Sequence, residues 1–319
     1  MIECVKTFPD SVTRKIDEPE PGCWVNVVSP TSDERQWLKE QLGIVPEFVK
    51  SALDEEESSH VDYDDDTDQA LIIIDCPAVE DDQESDDPAS VQYETQPLSF
   101  LFLPEQDMVV TVSLRGDRTL DLFSEGRIKH FNTNQRTRFL LRALLNISQR
   151  YLACLRSIDR QFTKNERRLR ETLQNDELIK MLGLQKSLVY FSTSLKADES
   201  TLVRVKSGRV IRLYEEDRDL LDDVFIEFRQ AIEMSNIYTG ILESTMDTFG
   251  SIISNNLNIV MRTLTIVMLA LSIPTIVFSF YGMNVGDLPF DSSWVVPLVI
   301  AVALLVGVLL IFRFSRKFK

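Results

Sequence analysis

Two long apolar runs lie near the C-terminal end of the chain, and no comparable run precedes them. Thr263–Phe280 and Trp294–Phe312 contain no charged residue, and each is close to the roughly 20 residues that a helix needs to cross a hydrocarbon layer about 30 Å thick. Both are apolar almost all round, unlike the one-sided helices of a soluble domain. They predict two transmembrane spans, residues 263–280 and 294–312, joined by an external loop over residues 281–293.

The N-terminal part of the chain has shorter apolar pieces, in which β-rich stretches alternate with helical signals. Thr31 and Glu34 have the spacing of a capping box and predict a helix through Leu42, and a second helix is expected from Glu47 to about Asp54. Such a mixture is typical of an α+β fold. We therefore predict a cytoplasmic domain over residues 1–214, with a mixed sheet flanked by helices. The predicted strands are Cys23–Val28, Ala70–Cys76, Pro97–Leu103 and Met108–Leu114.

Long helices follow this mixed region. Apolar residues recur at helical spacing from Thr137 to about Leu173, another helix follows Asn175, and Ser207-Gly208 marks a break. From about Glu215 no proline occurs until Pro274. The pattern predicts one near-continuous helix whose first part, residues 215–262, is a stalk that leads into the first span.

The placement of basic residues predicts the orientation in the membrane. Arg262 precedes the first span, the tail over residues 313–319 holds four Lys and Arg, and the loop between the spans has none. Positive residues stay on the cytoplasmic side. The beginning of the sequence also lacks the features of a signal peptide. We expect a multi-pass protein of the cell (inner or plasma) membrane, with both termini and the bulk of the chain cytoplasmic.

Composition excludes several function classes. The net charge of −16 argues against nucleic acid as a partner, since that needs a basic surface. Four scattered cysteines and two histidines give no zinc spacing, and we find no nucleophile–base set, so we predict reduced cysteines and no enzyme activity. The dense acidic runs near Asp54–Glu57, residues 62–68 and residues 80–87 are either solvated surface or ligands for divalent cations.

The first span carries a stripe of polar, small and Met residues, found by stepping in alternating threes and fours from Asn258. The stripe either faces a pore or packs against another helix, since small and hydroxyl residues suit both. The pore interpretation requires several copies of the chain, because two spans cannot enclose a water path. The second span has no such stripe and is expected to face lipid. The stripe consists of Asn258, Met261, Thr265, Met268, Ser272, Thr275, Ser279 and Gly282.

A short motif follows the first span directly: Tyr281-Gly282-Met283-Asn284. With two C-terminal spans behind a long acidic helical body, it resembles the CorA family of Mg²⁺ transporters, the two-span GMN superfamily. The resemblance implies a homopentameric Mg²⁺ channel with a cytoplasmic funnel domain. It further implies a selectivity filter of Gly282, Met283 and Asn284, in which Asn284 presents a ring of oxygens to the incoming ion.

The resemblance also implies roles for residues further along the first span and the stalk. Asn258 matches an inner amide ring, and Met261 and Leu264 match a hydrophobic gate. The periodicity picks Thr265 instead of Leu264, and the sequence leaves that choice open. Ser51 stands where many members carry the acidic partner of Asp223, so that partner is open as well. The expected ligands of regulatory Mg²⁺ are Asp223, Asp54, Glu55 and Asp247.

The function implied is passive influx of hydrated Mg²⁺, with Co²⁺ and Ni²⁺ as further ions, driven by membrane voltage and gated by intracellular Mg²⁺. No phosphate-binding Gly-rich loop is found, so no organic cofactor is expected. Two alternatives stay open. One is a zinc transporter of the related two-span branch, and the other is a membrane-anchored acidic sensor or scaffold that does not transport.

Overall fold

The structure is a computed structural model that describes residues 1–10, 12–79, 91–128, 131–172, 175–283 and 295–315. The chain divides into two compact units, Met1–Thr245 and Met246–Lys319. The first unit holds the sheet and most of the helices. The second holds the C-terminal half of the longest helix and the last helix.

A mixed sheet of seven strands forms the centre of the first unit, in the order β2-β1-β3-β7-β6-β5-β4. Strands β3 and β7 pair in parallel, and the other described neighbours are antiparallel. The long β5–β6 hairpin is almost wholly buried, which explains its continuous Leu, Ile and Phe content. The strands are β1 Ile2–Thr7, β2 Thr13–Ile16, β3 Cys23–Val28, β4 His60–Asp64, β5 Gln69–Val79, β6 Tyr93–Leu103 and β7 Met108–Ser113.

Helices cover the sheet on both faces. Alternate residues of each strand point to opposite faces, and apolar residues on both faces need a covering layer. On one face, Val25, Leu71 and Ile73 belong to a core that also contains Leu38 of α1 and Phe48 of α2. The other face includes an aromatic cluster around Trp24. The helices are α1 Ser32–Glu40, α2 Pro46–Ser51, α3 Arg118–Ser124, α4 Arg136–Thr172, α5 Asn175–Lys206, α6 Arg218–Tyr281 and α7 Val295–Ser315, and a single 3-10 turn spans Glu215–Asp217.

The aromatic cluster fixes the second face. Trp24 lies 5.0 Å from Phe139 and 6.0 Å from Phe131 between ring centroids, and its indole N–H donates to Thr111 Oγ1 at 2.8 Å. Phe123 of α3 packs edge-on against Phe139 at 5.0 Å. These contacts attach α3 and α4 to the sheet, so the first unit has three layers: helices, sheet, helices.

The predicted α+β fold is confirmed, with its sheet, flanking helices and one long helix. All four predicted strands are present and the capping box of Thr31 and Glu34 forms, although α1 ends at Glu40 and α2 at Ser51. Strands β1, β2 and β4 and helix α3 were not predicted. β2 and β4 are short edge strands rich in charge, where no buried face imposes a clear alternation.

The long helix is continuous for 64 residues, Arg218–Tyr281, and contains Pro274. In the first unit its inner side is apolar, with Leu221, Val224 and Phe228 buried. Ser235 Oγ of the same helix donates to the Leu188 carbonyl of α5 at 3.5 Å. These contacts tie the beginning of α6 to α5.

All four cysteines are free thiols. Burial raises the pKa of Cys4 and of Cys154 to about 11, and the buried Cys76 is raised well above its ordinary pKa for the same reason. Thiols with raised pKa values hold little thiolate at neutral pH and are poor nucleophiles. Their role is packing, as the sequence indicated.

A buried ion pair locks α3, α4 and β5 together. Arg150 Nη1 donates to Asp117 Oδ2 at 2.6 Å and to Thr119 Oγ1 at 2.7 Å, while its Nη2 donates to the Pro77 carbonyl at 2.7 Å. Asp117 is fully buried and also caps α3 by accepting from the Thr119 N–H. Because Arg150 satisfies three acceptors, two at the start of α3 and one in β5, its loss would leave a buried carboxylate without its counter-charge.

We predict that Arg150→Met lowers the free energy of unfolding by about 3 kcal/mol, the usual cost of removing one partner of a buried pair. The matched control is Arg229→Met, which breaks an exposed pair with Glu199 at 3.5 Å and should cost at most about 1 kcal/mol. Denaturant unfolding of the purified protein measures both. Equal losses in the two variants would contradict the proposed role of the buried pair.

Candidate functional site

The second unit contains the apolar segments. Among the described residues, the helical stretch Glu215–Tyr281 is long and apolar enough to cross a membrane, and its best window has a mean hydropathy of 2.1. The second apolar stretch within the described part, Val295–Val308, falls short of that length criterion. By length and composition, the long helix fits the first predicted span, whereas the described part of the second predicted span is shorter than the criterion.

All eight residues of the stripe along the first span are exposed within a single copy of the chain. Asn258, Met261 and Thr265 begin it, and Ser279 and Gly282 end it. Met261 and Met268 expose 52% and 51% of their surface. None of the eight stripe residues is covered by another part of the described chain.

The opposite side of the same helix is the one that its own chain covers. Successive residues of an α-helix turn by about 100°, which places the partly or fully buried positions roughly opposite the stripe. Val277 is the most buried of them, at 8% exposure. The stripe is therefore not the packing face within one chain, which favours the pore interpretation over packing inside the hairpin. The covered positions are Arg262, Ile266, Ala270, Ile273, Pro274, Val277 and Tyr281.

Three of the four hydroxyls of the stripe bond back to their own helix. Thr265 Oγ1 donates to the Met261 carbonyl at 2.8 Å, Ser272 Oγ to Met268 at 2.8 Å, and Thr275 Oγ1 to Leu271 at 2.9 Å. With the proton used in this way, each hydroxyl oxygen keeps lone pairs that can accept. A row of acceptors suits a hydrated cation, whose water protons point outward. These hydroxyl donors also carry no desolvation penalty inside the membrane, because each donates to a carbonyl of its own helix.

The two gate candidates lie on the exposed side of the helix. Met261 exposes 52% and Leu264 49% of the side chain, and Thr265 is exposed as well. Exposure within one chain therefore does not choose between Leu264 and Thr265. Asn258 is exposed one turn before them, and Asp247 is exposed nearer the beginning of the second unit.

The motif Tyr281-Gly282-Met283-Asn284 begins where the helix ends. Helix α6 ends at Tyr281, and the Gly282 N–H still donates to the Phe278 carbonyl at 2.9 Å. A Cβ at Gly282 would lie 3.1 Å from that carbonyl oxygen, so a side chain there is crowded. Met283 is exposed, and Asn284 lies outside the described residues.

The predicted regulatory acids do not form a metal centre within one chain. Across the described residues, no group of three or more His, Cys, Asp or Glu side chains could hold a metal ion. Asp223 is exposed and makes no hydrogen bond or ion pair with another described residue, whereas the adjacent Asp222 pairs with Lys206 at 3.3 Å. Glu55 pairs with Arg115 at 3.0 Å, and Asp54 Oδ1 accepts from the Glu56 N–H.

Sequence reasoning missed a pair of buried carboxyl groups in the first unit. Asp75 lies in the apolar strand β5 and is 8% exposed, and Asp198 of α5 is fully buried. Burial raises the pKa of both groups, and the charge of Asp75 raises the pKa of Asp198 further. The signal was available for Asp75, since a carboxylate that interrupts the run Leu71–Cys76 must find buried partners.

The chain combines a mixed α/β domain with a 64-residue helix whose C-terminal part is apolar. This combination is typical of one class of protein, the membrane proteins with a large domain outside the membrane. The chain belongs to the CorA family of Mg²⁺ transporters, because the family model described as "CorA-like Mg2+ transporter protein" matches residues 20–316.

Known proteins agree with this assignment. The chain is 28% identical over 307 residues to the cobalt/magnesium transport protein CorA of Methanocaldococcus jannaschii, covering 92% of this chain and 90% of that protein. The complete structure of the CorA magnesium transporter from the same organism superposes with a TM-score of 0.78 at 25% identity, over 99% of this chain and 96% of that one. The cytoplasmic domain of ZntB from Vibrio parahaemolyticus, 12% identical, has a TM-score of 0.59 over 80% of this chain and 97% of its own, which shows a shared fold alone.

We predict that Thr275→Val lowers Mg²⁺ uptake several-fold, because it removes an acceptor from the stripe while keeping the volume of the side chain. The matched control is Thr263→Val. Thr263 makes the same back-bond, to the Ile259 carbonyl at 2.8 Å, but lies on the other side of the helix. Uptake of Mg²⁺ into proteoliposomes measures both variants. If the control variant lost as much uptake as Thr275→Val, the stripe would not face the ion.

Proposed function

We propose that this chain forms a homopentameric channel for hydrated Mg²⁺ in the cell membrane. The observation that carries the proposal is the stripe on α6, which is exposed, rich in acceptors and opposite the side covered by its own chain. A helix with one covered side and one polar side needs further copies to enclose the polar side. Five copies is the number that the resemblance to the family implies.

The proposed segments follow the predicted domains. Residues 1–214 form the cytoplasmic funnel domain, 215–262 the stalk, 263–280 and 294–312 the two spans, 281–293 the external loop, and 313–319 the basic tail. Basic residues on the inner side keep both termini in the cytoplasm. The lipid bilayer and identical copies of the chain are then the partners, and divalent cations are the cargo.

The filter follows from the chemistry of Mg²⁺, which dehydrates reluctantly and keeps several waters. Amide and carbonyl oxygens of Asn284 and Gly282 would accept from those waters without a full charge that traps the ion. Gly282 suits this position since any side chain would press on the Phe278 carbonyl. Inward of the filter, the stripe hydroxyls continue the row of acceptors toward Asn258.

Membrane voltage supplies the driving force in this proposal. A divalent cation gains about 4.6 kcal/mol per 100 mV of inside-negative potential, twice the value for a single charge. Influx therefore requires neither ATP nor an organic cofactor. Met261 and Leu264 close the path by excluding water from a narrow apolar ring.

Intracellular Mg²⁺ regulates the gate through carboxylates that neighbouring copies bring together. Asp223 is suited to this role because it is exposed and has no partner within the described part of its own chain. Candidates for the other ligands are Asp54, Glu55 and Asp247, and Glu55 would first have to leave Arg115. When bound Mg²⁺ is lost, the acids repel one another and the gate opens.

We predict that Asn284→Ala abolishes uptake of Mg²⁺ into proteoliposomes, because the filter loses its ring of side-chain oxygens. Uptake of Mg²⁺, Co²⁺, Ni²⁺ and Zn²⁺ compared in the wild type identifies the cargo. A preference for Zn²⁺ would favour the zinc branch of the superfamily, and no uptake of any ion would favour a membrane-anchored sensor. Either result would contradict a Mg²⁺ channel.

We predict that Asp223→Ala relieves inhibition by Mg²⁺ on the cytoplasmic side, since the proposed inter-subunit ligand is lost. Asp222→Ala is the matched control, because Asp222 is adjacent but already paired with Lys206. Inhibition is measured as uptake at increasing internal Mg²⁺. Unchanged inhibition in the Asp223 variant would remove this residue from the regulatory site.

A further inference from the structure

Two carboxyl groups meet in the interior of the first unit. Asp198 Oδ1 accepts from the Ser59 hydroxyl at 2.5 Å and from the Asp75 N–H at 2.9 Å. The Asp75 N–H also donates to Ser59 Oγ at 3.0 Å, and the Asp75 main-chain carbonyl accepts from the Tyr151 hydroxyl at 3.1 Å. The Ser59 hydroxyl therefore bonds both to the Asp198 carboxyl group of α5 and to the main chain of Asp75, and it joins α5 to the segment that precedes β4.

No cation balances these two acids. Neither Asp75 nor Asp198 forms an ion pair with a Lys, Arg or His of the described chain. Asp198 Oδ2 is buried and has no hydrogen-bond partner there. Two ionised carboxylates in such a place would repel each other in surroundings that also disfavour charge.

The groups around the pair do not supply the missing charge. From β5 comes the buried Cys76 thiol, and from α4 come Tyr151, Cys154 and Arg150. The Arg150 guanidinium is held by Asp117, Thr119 and the Pro77 carbonyl, as described above. His60 follows Ser59 but directs its ring to the Ser58 carbonyl and to Asp62.

We propose that Asp75 and Asp198 form a proton-binding site that holds one proton at neutral pH. The proton resides on Asp198, the more deeply buried of the two, where Oδ1 keeps its two donors and Oδ2 becomes the hydroxyl. Asp75, which keeps 8% of its surface exposed, stays ionised. Loss of the proton to solvent converts a neutral acid and a carboxylate into two adjacent carboxylates.

The site links proton concentration to the acidic segment at residues 54–58. Ser59 directly follows that segment, and its hydroxyl bonds to Asp198 on α5. Repulsion between two carboxylates would loosen this bond and with it the attachment of Asp54 and Glu55. The proton-binding site itself does not depend on whether the protein conducts Mg²⁺.

The test is Asp198→Asn in the purified full-length protein. Asparagine keeps the shape and the acceptor for Ser59 and the Asp75 N–H, and its amide nitrogen replaces the protonated oxygen. A folded-state pKa above the ordinary value of Asp means that stability falls as pH rises above about 4 until the folded group itself ionises. The variant has no such proton to lose. Its melting temperature should therefore exceed that of the wild type by a margin that grows from about pH 5 to about pH 8, as the ratio of folding constants changes by up to tenfold per pH unit.

The control is Asp66→Asn, which changes an exposed turn carboxylate and should leave the pH dependence as in the wild type. A constant margin between Asp198→Asn and the wild type across this range would overturn the proposal. Failure of both Asp198→Asn and Asp75→Asn to fold would also overturn it. Each variant replaces one carboxyl group by an uncharged amide of the same shape, so two adjacent carboxylates cannot form. Infrared spectra give an independent measurement: the wild type should show the carbonyl stretch of a protonated carboxyl group at neutral pH, and Asp198→Asn should lack it. A wild-type spectrum without that band would also refute the site.

Discussion

Polar groups inside a membrane need a polar partner, and this requirement governs how α6 can be used. The serine and threonine side chains of its first span satisfy it by donating to carbonyls of their own helix. Thr265, Ser272 and Thr275 keep oxygen lone pairs on the exposed stripe, whereas Thr263 lies on the other side of the helix. The covered side of the same helix faces its own chain. The helix can therefore serve as scaffold and as wall of a water-filled path at once.

The sequence predicted those parts of the fold in which burial is one-sided or continuous. The strands at Cys23–Val28 and Met108–Ser113 are almost continuously buried and apolar, and the long helix α4 has a clear helical period because one of its sides is buried. The edge strands β2 and β4 were not predicted, because their charged residues hide the alternation of apolar and polar positions. Helix α3 was not predicted, because seven residues make only about two helical turns, too few to show a repeat of apolar positions.

The candidate site was predictable to a different extent. The stripe and the motif at Gly282–Asn284 are local patterns, so the sequence contains them in full. A partner of Asp223 in another copy, as proposed, would not be local, because a ligand set shared between copies has no period and no spacing within one chain. The pairing of Asp75 with Asp198 joins positions far apart in the chain, and only the fold brings a strand and a helix together at that point.

Pro274 lies within α6, seven residues before its end. Proline has no N–H, so the Ala270 carbonyl lacks its usual helical donor, and the ring crowds the preceding turn. Helices bend most readily at such a residue. A bend there changes the direction of the last two turns, which lead to Gly282, together with the residues that cover Val277 and Tyr281. The helix around Met261, more than three turns before Pro274, need not move with it.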